Sequence, residues 1–61
     1  MQKTLYIDKN VATLKINGVK IGNYYFDEWK QFTDLTNETR VYFYVRGFAS
    51  CFVIVDSIEE V

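Results

Sequence analysis

Sixty-one residues, of which 49% are hydrophobic and 18% aromatic, with no proline and a net charge of −1, describe a folded chain rather than a linker or a disordered tail. A single cysteine and no histidine exclude an internal disulfide, a zinc site built from Cys and His, and the usual general base at neutral pH. Seven basic residues against eight acidic ones, with no cluster, argue against non-specific attraction to nucleic acid and against a polybasic membrane anchor.

A chain this short makes one domain, residues 1–61, near the lower limit for folding without disulfides or metal. A compact monomer of this mass should expose roughly 4,100 Å² against about 10,400 Å² for the unfolded chain. Burial then supplies on the order of 95 kcal/mol, and ordering the chain costs roughly 90 kcal/mol. The two nearly cancel, so association that covers more apolar area would help. No apolar run approaches the roughly 18 residues of a membrane span, and "MQKTLYIDKN" lacks the apolar core of a signal peptide. These features give the expectation of a complete, soluble, cytoplasmic chain without a membrane association.

From the N-terminus, "TLYI", "DKN" and "VATLKI" read as strand, tight turn and strand. Leu5 and Ile7 share one face, Leu14 and Ile16 another, with Thr13 and Lys15 opposite the latter pair. Asn17-Gly18 follows, and both residues tolerate the positive φ of a two-residue type I′ hairpin. Val19 and Ile21 continue a third strand, so residues 4–22 read as a meander.

After Gly22-Asn23 the spacing changes. Tyr25, Trp29 and Phe32 recur four and three apart while Asp27, Glu28, Lys30, Gln31 and Asp34 are polar, which predicts a helix of two to three turns over 24–35. Asn23 or Asp27 would cap it, and Asn37 would end it in the left-handed conformation. A rival reading extends the third strand through Tyr24–Phe26 and leaves 27–35 helical. Both place Trp29 and Phe32 against the sheet.

Residues 36–39 are a loop. In "RVYFYV", Val41, Phe43 and Val45 lie on one side and Tyr42, Tyr44 and Arg46 on the other. In "CFVIVDSI", Cys51, Val53 and Val55 oppose Phe52, Ile54 and Asp56. These two runs form a hairpin, and the chain should fray past Ile58. The fold class expected is therefore α+β: a small curled antiparallel sheet of about five strands, ordered βββ-α-ββ, packed against one short helix.

One helix covers only one face of that hairpin. The other still carries Tyr42, Tyr44, Phe52 and Ile54, with Arg46 and Phe48 at the turn. Three accounts follow: a sheet curled into a small barrel, a homo-oligomer such as a dimer, or a surface for a protein partner, where tyrosine is common.

"RGFA", residues 46–49, matches the first half of an RNA-recognition pattern, but the remainder needs an insertion and lacks its final aromatic. Tyr42, Tyr44 and Phe48 could stack on bases beside Arg40, Arg46, Lys15 and Lys20. That supports nucleic acid as the alternative partner.

Catalysis has little to draw on. Cys51 sits in an apolar strand run, where burial leaves a thiol inert. No calcium loop or glycine-rich phosphate loop is present. The expected function is a non-enzymatic protein-interaction protein of inhibitor, adaptor or assembly-factor type. It self-associates, works through Tyr42, Tyr44, Arg46, Phe48, Phe52 and Ile54, and needs no cofactor, metal or small-molecule substrate.

Overall fold

The computed structural model describes residues 2–61 and is built from strands alone: β1 (Lys3–Asp8), β2 (Val11–Ile16), β3 (Val19–Tyr25), β4 (Glu28–Thr33), β5 (Thr39–Val45), β6 (Phe48–Val55) and β7 (Ser57–Glu60). They form two sheets, one ordered β3-β2-β1-β7 and the other β4-β5-β6. All pairings are antiparallel except β1 with β7, which is parallel.

The seven strands reduce to five long ones. β3 and β4 are a single strand bent at Phe26-Asp27. The Phe26 amide donates to the Asn10 carbonyl (3.0 Å) and the next amide, Asp27, donates to Tyr44 (2.9 Å). The backbone thus passes from β2 to β5 within one residue. Asn10 secures the bend, its Nδ2 donating to the Phe26 carbonyl at 3.0 Å. β6 and β7 are likewise one strand bent at Asp56, where the Asp56 amide donates to Lys3 (2.9 Å) and the Lys3 amide to Asp56 Oδ2 (2.8 Å). A meander of five strands runs up and down an odd number of times. Its first and last strands therefore point the same way, and the pair that closes it must be parallel.

Turn chemistry fixes the register. Asn17-Gly18 adopts φ of 52° and 83°, and Arg46-Gly47 repeats the pattern at 54° and 82°, as two-residue hairpins with right-handed strand twist require. The sheets pack over Leu5, Ile7, Ala12, Leu14, Phe26, Val41, Phe43 and Val55, with Tyr24, Trp29, Val53 and Ile58 against them. Phe43 is the centre: its ring stacks on Tyr24 at 5.1 Å and on Phe26 at 5.0 Å.

The expected helix is a strand instead, which makes the class all-β rather than α+β. Tyr24 and Tyr25 extend β3, in line with the rival reading, and residues 28–33 pair with β5. "EWKQFT" also satisfies a two-residue period, with Trp29, Gln31 and Thr33 on one side and Glu28, Lys30 and Phe32 on the other. In a stretch rich in aromatics, strand pairing to both β2 and β5 satisfies backbone groups that a lone short helix would leave at its ends. Phe32 consequently faces away from the core and is 52% exposed, while Trp29 packs against it.

Two further expectations change. The C-terminus is not frayed past Ile58: β7 runs beside β1, and the Val61 amide donates to Ile7 at 2.9 Å. Cys51 is exposed rather than buried: it lies in the exposed first part of β6, an edge strand of its sheet. The total accessible surface is 4428 Å², somewhat above the roughly 4,100 Å² of a typical compact monomer of this mass.

Candidate interaction face

The β4-β5-β6 sheet turns Val41 and Phe43 inward and presents a grid of three rows outward. Cross-strand register sets Glu28, Tyr44 and Ala49 in one row, Lys30, Tyr42 and Phe52 in the next, and Phe32, Arg40 and Ile54 in the third. Tyr42 is therefore the middle of the face. Its ring stacks on Phe52 at 5.3 Å and meets the Phe32 ring edge-on at 5.4 Å, so three aromatics form one stripe across all three strands. Such pairs are worth roughly 0.5–1.5 kcal/mol when dry. Here Phe32 and Phe52 remain about half exposed, at 52% and 50%.

The cations of the face lie on the rings. Lys30 Nζ sits 5.3 Å from the Tyr44 ring centroid, and the Arg40 guanidinium carbon 5.9 Å from that of Phe52. Both distances fall within cation–π range. Arg40 Nε is buried and meets no acceptor. Phe32, Tyr42 and Tyr44 line an open, mainly apolar depression of about 310 Å³.

The β4-β5 loop borders the third row. Asp34 Oδ1 accepts from the Thr36 amide (2.9 Å), the Thr36 hydroxyl (2.7 Å) and the Glu38 amide (3.0 Å). The Thr36 hydroxyl and then the Glu38 amide hold its carboxyl below the ordinary carboxylate value, with a last, smaller contribution from the Arg40 charge. Asn37 takes the left-handed conformation expected of it (φ 65°), in this loop rather than at a helix end.

Of the residues singled out in the sequence, Tyr42, Tyr44, Phe52 and Ile54 come together on this face. Arg46 and Phe48 do not join them. Arg46 occupies the β5-β6 turn, its amide donating to Asp27 Oδ2 at 2.8 Å. Ser50 is the extra residue of a bulge between the Phe43–Cys51 and Tyr44–Ala49 pairs. Beyond it, Phe48 pairs with Val45, on the side opposite Tyr44, and is 77% exposed. Lys15 lies over Tyr6 at 4.9 Å on the other sheet, remote in register from the aromatic stripe.

Sequence reasoning missed Lys30 and Phe32, which it had placed on a helix. The signal was present: residues 28–33 alternate as cleanly as they recur at helical spacing. Among the described residues no three His, Cys, Asp or Glu side chains come close enough to hold a metal ion. No helix among the described residues is long and apolar enough to cross a membrane. No protein-family model, curated protein or solved structure matches the chain.

Proposed function

We propose that the chain is a non-enzymatic protein-interaction domain and that the outward face of β4-β5-β6, centred on Tyr42, is the surface it offers. One observation carries this reading: the Phe32–Tyr42–Phe52 stripe is packed in order, yet the chain's own fold leaves its two flanking rings, Phe32 and Phe52, half exposed. Aromatic side chains already fixed by neighbours lose little freedom on binding, and Tyr keeps its hydroxyl wet, which is why interface centres favour them. The exposed, unpaired thiol of Cys51 fits a reducing compartment such as the cytoplasm. An inhibitor, an adaptor and an assembly factor would all use such a face.

Self-association would draw on the same apolar area. A two-fold pairing through Tyr42, however, brings together two copies of a face on which cations outnumber acids, so a different partner is favoured. Nucleic acid is the second reading, because those two cations stand beside the rings. It is the weaker one. Single-strand binding needs free ring faces and a groove of cations, whereas Tyr42 is engaged by both Phe32 and Phe52, and Glu28 shares the face.

The test is selection of random linear peptides displayed against the immobilised chain, followed by binding of the enriched peptides to Phe52→Ser and Tyr25→Ser. The reading expects loss with Phe52→Ser and retention with Tyr25→Ser, which lies at the edge of the other sheet. Retention with Phe52→Ser would refute it.

A further inference from the structure

The charges of this face identify the chemistry of its occupant, on the reading that the face is an interaction surface. Lys30 pairs with Tyr42 across the strands and Arg40 lies in the next row on Tyr42's own strand, and Glu28 is the acid on the same grid. Within the three rows two cations therefore stand beside one acid, on a chain whose total is −1. Nearby carboxylates hydrogen-bond to backbone amides rather than to these cations. Asp27 Oδ2 holds the Arg46 amide, Asp56 Oδ2 the Lys3 amide, and Asp34 Oδ1 the amides of Thr36 and Glu38. Lys30 and Arg40 rest instead on Tyr44 and Phe52. Arg40 Nε has no acceptor although it is buried. Satisfied donors are the rule below a protein surface, and an unmade bond there costs free energy.

We infer that the face takes an acidic segment of another protein, with carboxylates meeting Arg40 and Lys30 and an apolar side chain entering the depression lined by Phe32, Tyr42 and Tyr44. Arg40 supplies a planar fork suited to one carboxylate, and Lys30 a point charge suited to a second. Ring contacts hold both cations in place before binding, which lowers the ordering cost of each contact. A second copy brings like charges, and a nucleic acid brings more phosphates than two cations can neutralise.

The same peptide selection decides the matter, read out by charge. Peptides enriched on the native chain should be net negative and carry an aromatic or branched residue. Individual acidic peptides should bind the Lys30→Gln/Arg40→Gln double variant about tenfold or more weakly, and the native chain more weakly as salt rises. A neutral or basic pool, or an acidic pool indifferent to the double variant, overturns the proposal. If such peptides still lose binding to Phe52→Ser, the interaction face stands and only the acidic occupant falls. If they ignore Phe52→Ser, both fall, as they do if nothing enriches. A single-stranded oligothymidylate that binds more tightly than any acidic peptide also overturns the acidic occupant.

Discussion

Replacing Phe43 by leucine separates the core from the interaction face most sharply. Phe43 is fully buried and stacks on two rings, Tyr24 and Phe26. Leucine keeps the site apolar but forfeits both stacks, a loss of about 1–3 kcal/mol. The full truncation to alanine would cost about 3–5 kcal/mol. A domain of this length holds a total of roughly 3–9 kcal/mol, so Phe43→Ala unfolds much of the population and Phe43→Leu is the informative variant. The matching change on the outer face, Phe52→Leu, loses one stack that is already half hydrated, and should cost about 0.5 kcal/mol. Urea titration followed by fluorescence of Trp29, which packs beside the core, measures both. With a slope of about 1 kcal/mol per molar urea for a small domain, the midpoint should fall by about 1–3 M for Phe43→Leu and by about 0.5 M for Phe52→Leu. Equal shifts would refute the division into an inner, stabilising cluster and an outer, available one.

Gly18 has φ of 83° and nothing near a would-be Cβ, so Gly18→Ala should cost about 1 kcal/mol through backbone strain alone, read from the same titration. Asn10→Ala removes one arm of the clamp on the Phe26 bend and should also cost about 1 kcal/mol, with amide exchange rising at Phe26 and Asp27. Asp34 has its pKa lowered from 3.8, chiefly by the Thr36 hydroxyl. A folded value below the unfolded one adds stability that is present above the unfolded value and lost as pH falls through the folded one. Asp34→Asn should therefore flatten the loss of thermal stability below about pH 4, and an unchanged acid limb would contradict the loop geometry. Cys51 is exposed, so a thiol reagent should modify the native chain nearly as fast as the urea-unfolded one, where a buried thiol would be protected.

Much of the strand order was legible because local chemistry and burial agree there. Asn17-Gly18 has the residues that positive φ favours and Gly47 marks the second turn, and alternation on 4–7, 12–16 and 41–45 has one consistent inward face. The stretch 24–33 misled because Tyr25, Trp29 and Phe32 fall at helical spacing by coincidence with an outward-facing aromatic. An alternating reading puts Phe32 on the surface, and hydrophobic periodicity assumes that large apolar residues point inward. What decides for strand is non-local: β2 and β5 each present an edge that only residues 19–33 can pair. The last residues were misread for a related reason, since "DSIEEV" has no strand pattern of its own and is ordered by the β1 edge that closes the meander. Tyr42, Tyr44, Phe52 and Ile54 were legible as a surplus face because the hairpin is apolar on both sides. Phe48 was not, because the bulge at Ser50 turns it to the other side, and a bulge leaves no mark in the sequence here.

Amide chemical-shift mapping tests the central claim most directly, using the isotope-labelled native chain and the tightest peptide from the selection. The account predicts shifts concentrated on residues 28–32, 40–44 and 52–54, with β2 and β3 unmoved. Shifts centred on the exposed side chains Val19, Ile21 and Tyr25 at the β3 edge, with Tyr42 unaffected, would place the interaction surface on the other sheet and contradict it.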